Sequence, residues 1–159
     1  MWRIDQKCFA PGIAYSRREL AAYVRRRGSF TVVAERYVRG GMPTGPNQPE
    51  SDDFAGILGF IVAEVGRGAG HIISIDVLPE SRRLGIGSRL LNTAEERLRT
   101  APCHSVVLET AVDNASALAF YKWHHYSVVK IVPRYYSGGV DAFLMAKSLL
   151  SAEPSKPQP

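Results

Sequence analysis

Cysteine is scarce in this chain of 159 residues, with only Cys8 and Cys103 present. They form no metal-ligand or redox spacing, which argues against a disulfide framework and a thiolate metal centre, and both thiols are expected to be free. Long apolar runs are absent too: none approaches the roughly 20 residues that span a bilayer. The first residues, Met1-Trp2-Arg3-Ile4-Asp5, lack the uninterrupted apolar stretch of a signal peptide, so a cytoplasmic location and no membrane partner are expected. The four histidines, His71, His104, His124 and His125, lack metal-ligand spacing, and no metal is expected. They read as structural or exposed groups, with His124 or His125 the only ones weighed as an auxiliary base. No segment interleaves basic and aromatic residues in the manner of nucleic-acid recognition, and no nucleic-acid partner is expected. No internal repeat stands out.

What is present suits a soluble globular domain: 45% hydrophobic and 22% charged residues. A chain of this size buries about 70% of its unfolded surface, enough for one core. One domain over 1–150 is expected, followed by a Pro/Ser/Lys-rich disordered tail from Ser151 to Pro159. The formal net charge is +5, in part from Arg17, Arg18, Arg25, Arg26 and Arg27. That run reads either as a solvated helix face or as an attractor for an anionic partner.

The pattern of elements is mixed α/β. Ser16-Arg17-Arg18-Glu19 is a capping box opening a helix to about Arg27, with Gly28 ending it. Strands are expected at Phe30–Glu35, Ile57–Val65, His71–Val77, Ser105–Val112, Tyr126–Val132 and Ala142–Lys147. A Gly/Pro-rich segment, Gly40 to Pro49, reads as a mobile exposed loop. Ile86, Leu90, Ala94 and Leu98 recur at helical spacing and predict a helix to about Thr100. Asn114 to Trp123 predicts a shorter one.

Between the third strand and the longer helix lies Arg82-Arg83-Leu84-Gly85-Ile86-Gly87. Glycine lets the backbone approach a ligand, and a helix N-terminus offers free N–H groups and partial positive charge. The stretch reads as a phosphate cradle, although such junctions also occur in α/β domains that bind nothing. It is not a P-loop, for it lacks Gly-Lys-Ser/Thr, and it lacks the third glycine of the dinucleotide fingerprint.

Three blocks together resemble the GNAT superfamily of N-acetyltransferases. The first is Arg82-x-x-Gly85-x-Gly87. The second is Glu109 followed by Asn114-x-x-Ala117-x-x-x-Tyr121. The third, Tyr135-Tyr136 with Gly138-Gly139-Val140-Asp141-Ala142 and Met145-Ala146, is similar to RimI-like ribosomal-protein-alanine N-acetyltransferases and related protein Nα-acetyltransferases. The resemblance is strongest from His71 to Lys147 and runs back to Ile4.

It implies an acyl-CoA N-acyltransferase fold, an α/β, mostly antiparallel mixed sheet flanked by helices. The family's further N-terminal strand has no counterpart before Ile4. His125 stands where the family has a glycine, so a reshaped turn is expected, and the loop around Pro43–Pro49 looks long.

The implied activity is transfer of acetyl from acetyl-CoA to an amine, most simply a protein N-terminus, ribosomal proteins among them. Glu109 is then the base and Tyr121 the acid. Backbone N–H groups of Ile75 and Val77 would meet the coenzyme and acetyl group. Arg82, Arg83, Leu84, Gly85, Ile86, Gly87 and Ser88 would hold the pyrophosphate, Asn114 would touch the coenzyme arm, and Tyr135 and Tyr136 would line a peptide slot.

An α-amine with a pKa of about 7.7–8.0 is easier to deprotonate than a lysine at about 10.4, by roughly 3.5 kcal/mol. That favours the N-terminal acceptor for a single carboxylate base, whose pKa a partly desolvated cleft would raise toward the working range. From the residues alone, Glu109 also reads as a solvated strand residue, Tyr121 as a half-buried helix aromatic, the arginines as exposed charge, and the tyrosine pair as strand-end aromatics. A small amine, a lysine side chain, or a non-catalytic acyl-CoA-binding module remain the competing readings.

Overall fold

The computed structural model describes residues 1–36 and 56–150. The Gly40–Pro49 loop and the tail from Ser151 lie outside the described residues. Eleven elements follow in chain order. They are α1 (Trp2–Cys8), α2 (Arg17–Arg25), β1 (Ser29–Glu35), β2 (Ile57–Val65), β3 (Gly68–Val77), a 3₁₀ turn (Pro79–Ser81), α3 (Ile86–Thr100), β4 (Cys103–Ala111), α4 (Ala115–Trp123), β5 (Ser127–Val132) and β6 (Ala142–Ser148).

The six strands form one sheet in the order β1-β2-β3-β4-β6-β5. Only β3 and β4 run parallel. The fold is the mixed α/β arrangement expected. The capping box at Ser16 is present in full. Two elements have no counterpart in the sequence reading: the 3₁₀ turn, and α1, which has no side-chain cap to announce it. Among the described residues β1 and β5 are the outer strands.

Both faces of the sheet are covered, which explains the unbroken apolar run of β2. Ile61 and Ala63 point toward α3, where they meet Leu90, Leu91, Ala94 and Leu98. Phe60 and Val62 alternate to the other face and pack with Ile4 of α1 and Leu20 of α2. Glu95 is buried on α3, where it accepts from Lys147 Nζ at 2.6 Å and from Tyr126 Oη at 3.0 Å. Removing one partner of such a buried pair costs about 3–5 kcal/mol, so the network fixes α3 against β6 and the end of α4.

The feature that positions the site is a parting of strands. Pairing of β3 with β4 ends at Ile72↔Leu108. Beyond that, β3 continues to Val77 beside β2 only, and β4 continues to Ala111 beside β6 only. The Leu78 N–H donates to Leu58 O at 2.9 Å, which fixes the direction of the alternation. Backbone groups of Ser74 and Asp76 therefore face β2, and those of Ile73, Ile75 and Val77 face the gap. Side chains confirm it from the gap side: Tyr15 Oη donates to Ile73 O at 3.3 Å and Arg82 Nε to Val77 O at 3.1 Å.

Candidate functional site

The gap opens into a cavity of about 1180 Å³. At one end sits the glycine turn. Gly85 has φ +76°, a left-handed conformation that a side chain disfavours, and it is the N-cap of α3 with no side-chain cap. The first N–H groups of α3 thus have no intrahelical partner. Arg82, Arg83, Gly85, Ile86, Gly87 and Ser88 line the cavity. Arg83 takes φ +62°, uncommon for a side-chain-bearing residue, and Arg82 is tethered through Val77 O. Leu84 is the exception: it is 70% exposed and does not line the cavity.

Along the middle, Ile75 and Val77 present backbone groups to the gap, and both line the cavity. Asn114 lines it as well, while its Oδ1 caps α4 through Ala117 N at 3.1 Å. Tyr121 is buried on α4 and reaches the same space. Burial, then the neighbouring Tyr136 and Asp76, push its hydroxyl well above the ordinary tyrosine range, so it holds its proton at neutral pH.

At the other end stand Glu109, Tyr135 and Tyr136. Glu109 lies on the opposite face of β4 from the buried Leu108, and its side chain is 17% exposed. His71 Nε2 lies 2.7 Å from Glu109 Oε2. The sequence reading of His71 as structural or exposed named no partner for it; the structure bonds it to the carboxylate singled out as a base. The pair is hard to see in sequence because it depends on the parallel register that sets His71 opposite Val107, two residues before Glu109. Tyr135 and Tyr136 stack edge to face at 5.0 Å. Burial and the Glu109 charge push both hydroxyls up, Tyr136 to about 12.

The wall facing them comes from the segment between α1 and α2 and from α2 itself, which the sequence reading did not place in the site. Tyr15, Glu19 and Tyr23 line the cavity at helical spacing. Tyr15 is held at both ends, its N–H by Asp5 Oδ2 at 2.9 Å and its hydroxyl by Ile73 O. Ser137 Oγ donates to Gly12 O at 2.9 Å, joining this wall to the turn before β6.

Two further expectations are settled by geometry. His124 is buried and its Nε2 lies 3.0 Å from Ser88 Oγ, beside the glycine turn and not beside Glu109. Burial pushes its pKa down. His125 takes φ +67°, so the turn after α4 keeps a glycine-type backbone with the histidine in it. No group of three or more His, Cys, Asp or Glu side chains suited to a metal occurs among the described residues.

An uncapped helix start, a bare left-handed glycine and an unpaired strand edge, all on one long cavity, fit a ligand with an anionic end and an amide-bearing arm. Acetyl-CoA has that chemistry.

Comparisons with known proteins agree. The profile of the acetyltransferase (GNAT) family matches residues 49–126. The chain is 42% identical over 98 residues to an uncharacterized N-acetyltransferase of Methanocaldococcus jannaschii, covering 61% of this chain and 63% of that one. It is 41% identical over 81 residues to an N-alpha-acetyltransferase of Sulfurisphaera tokodaii, covering 50% and 48%. The aligned part thus spans between about half and two thirds of these relatives' lengths. The crystal structure of the ribosomal-protein-S18-alanine N-acetyltransferase from Escherichia coli superposes with a TM-score of 0.72, over 98% of this chain and 89% of that one. At 21% identity that likeness shows the fold.

Proposed function

The chain belongs to the acetyltransferase (GNAT) family, and from that premise we propose that it transfers acetyl from acetyl-CoA to the N-terminal α-amino group of a protein. The observation that carries this reading is the Glu109–His71 pair, bonded at 2.7 Å beside the point where β3 and β4 part, with Glu109 lining the same cavity as the glycine turn. A relative named N-alpha-acetyltransferase supports the acceptor class. We take residues 1–150 as one catalytic domain, and the cytoplasm, where new protein N-termini arise, as its place of action. A ribosomal protein is one acceptor of this class.

The coenzyme supplies a thioester, an acyl group on a good leaving sulfur. The chain's residues do the rest. N–H groups from Arg83 to Ser88, with the Arg82 and Arg83 charges, hold the pyrophosphate. Asn114 sits beside the coenzyme arm. N–H groups of Ile75 and Val77 donate to the acyl end, including the carbonyl oxygen as negative charge gathers on it. Glu109, directly or through one water, takes a proton from the amine so that its nitrogen can bond to the acetyl carbon. His71 orients Glu109. Tyr121, kept protonated by burial, gives its proton to the sulfur as the carbon–sulfur bond breaks. Tyr135 and Tyr136 flank the incoming chain beside Glu109.

Mass spectrometry of a peptide library incubated with the protein and acetyl-CoA tests the reading. Acetyl groups are expected on α-amines. Modification of lysine ε-amines alone, or of small amines and no peptide, would replace it.

A further inference from the structure

The arginines of α2 remain unused by the reaction. Glu19 and Tyr23 face the cavity, and Leu20 and Val24 pack into the core. The remaining face carries Arg17, Arg18 and Arg25, which with Ala21 and Ala22 line a shallow open groove of about 530 Å³. All three arginines are exposed. Among the described residues none of the three forms an ion pair, whereas their neighbour Arg26 is bonded to Glu64 at 3.0 Å. The one acid of the helix, Glu19, is turned away: its carboxylate accepts from Ser16 N at 2.9 Å and lines the cavity. The outer face of α2 is therefore uniformly cationic, with Ala21 and Ala22 between the arginines.

Position gives this charge a meaning. The same helix walls the cavity with one face and carries the arginine groove on the next. A helix is about 10 Å across, and an extended chain advances about 3.3 Å per residue. Three or four residues thus carry a peptide from the cavity rim, over Ala22, onto the groove. Arg17 and Arg25 are eight residues apart on the helix, about 12 Å along its axis, or the span of about four extended residues. The signs of charge are ordered as well. Glu109 and Glu19 line the cavity, where an α-ammonium group arrives, and Arg17, Arg18 and Arg25 lie outside it.

We infer that the Arg17, Arg18 and Arg25 groove docks an acidic segment of the acceptor protein, about four to eight residues beyond the amine that is acetylated. The inference rests on the reading of the cavity as a site for protein N-termini. It makes the groove a specificity surface: it raises the local concentration of acceptors with acidic early sequences and takes no part in the chemistry.

The test uses two peptides with the same first three residues, one with glutamates at about positions 4 to 8 and one with glutamines there. Acetylation and equilibrium binding of labelled peptide are both measured, on the native protein and on the triple variant Arg17→Glu, Arg18→Glu, Arg25→Glu. The glutamate peptide is expected to have a KM about tenfold lower, with kcat unchanged. The triple variant is expected to abolish that advantage and leave the glutamine peptide within about twofold of the native values. Raising salt should erase the same advantage. The milder set Arg17→Gln, Arg18→Gln, Arg25→Gln should fall between, which guards against loss of folding.

Equal KM and equal binding for the two peptides would overturn the inference while leaving N-terminal acetylation intact. Arginine-dependent binding of the glutamate peptide with no acetylation of either would uphold the groove and defeat the reading of the cavity. Arginine-dependent binding of a single-stranded RNA oligomer, with no preference between the peptides, would assign the groove to nucleic acid and overturn it.

Discussion

At the Arg82–Ser88 end the cavity is lined by a left-handed glycine turn and the uncapped start of α3, whose first N–H groups have no intrahelical partner. At the Glu109 end the lining side chains are gathered from the segment before α2, from α2, from β3, from β4 and from the turn before β6. Backbone groups keep their positions when side chains change, so the first end can serve one unvarying ligand. Side-chain groups can be exchanged one at a time, so the second end can be tuned to different acceptors. The comparison predicts that substitutions at the two ends fail in different ways, one in coenzyme affinity and the other in turnover.

The largest expected effect is at the side-chain end. Glu109→Gln keeps the shape and removes the proposed base. Turnover is expected to fall about a hundredfold, within the range for losing a general base. Acetyl-CoA affinity, measured by calorimetry, should stay within about twofold. Unchanged turnover would remove Glu109 from the role, and a matching loss of coenzyme affinity would erase the distinction between the two ends.

The next effect lies beneath both ends, in two buried acids. Asp76 sits between Ile75 and Val77, is fully buried, and is pushed up to about 7, chiefly by burial and then by Asp5, against the pull of Ser74 Oγ at 2.7 Å. Asp5, which holds the Tyr15 N–H, is pushed up to about 6 by burial. Each has one oxygen, Oδ1, with no hydrogen-bond partner. An unfolded aspartate titrates near 3.9. Between that value and about 7 the folded chain holds more protons than the unfolded one, so these groups' contribution is fully present below pH 4 and is lost as pH rises through about 7. Asp76→Asn should therefore stabilise the protein more at pH 8 than at pH 5, by about 2 kcal/mol, in denaturant titrations. An equal change at both pH values would show that Asp76 does not carry the pH dependence.

His71→Gln follows, expected to lower turnover about tenfold by loosening Glu109, with coenzyme affinity unchanged. A positioning role also predicts a change in the pH profile of kcat, because the partner of the carboxylate has changed. A loss of stability with a native pH profile would make His71 structural only.

How much of this was legible in the sequence follows from the same comparison. The glycine turn, α3 and the Asn114 cap are local patterns, each contained within a few residues, and the structure places them where the spacing of Gly85, Gly87, Leu90 and Ala94 put them. The strands were legible to within two or three residues because apolar alternation marks them. Long-range register was not legible. His71 meets Glu109 only because two strands run parallel and then part, and Tyr15 enters the site only because Asp5 and Ile73 pin it. Helix α1 has seven residues and no side-chain cap, so its packing against Phe60, Val62 and Leu78, and not a local signal, forms it. The pattern at Glu109 announced a carboxylate on a strand, and its meaning depended on neighbours that no spacing rule supplies.

The smallest effects separate the two glycines at the backbone end. Gly85 is left-handed at φ +76°, and a Cβ there would meet nothing within 4 Å. Gly85→Ala therefore costs backbone strain alone, about 1 kcal/mol of stability. Gly87 is inside α3, and a Cβ there would sit 3.5 Å from the Phe120 ring, an ordinary contact. Gly87→Ala should raise stability by up to about 1 kcal/mol, the helix preference of alanine over glycine. The two variants thus move stability in opposite directions. If the turn cradles the coenzyme, both should weaken acetyl-CoA, the first by misplacing N–H groups and the second by adding a methyl group on the cavity side. An increase of about threefold to tenfold in the KM for acetyl-CoA is expected in each, with the peptide KM unchanged. Affinity that follows stability, falling in Gly85→Ala and rising in Gly87→Ala, would mean that the turn shapes α3 and does not touch the ligand.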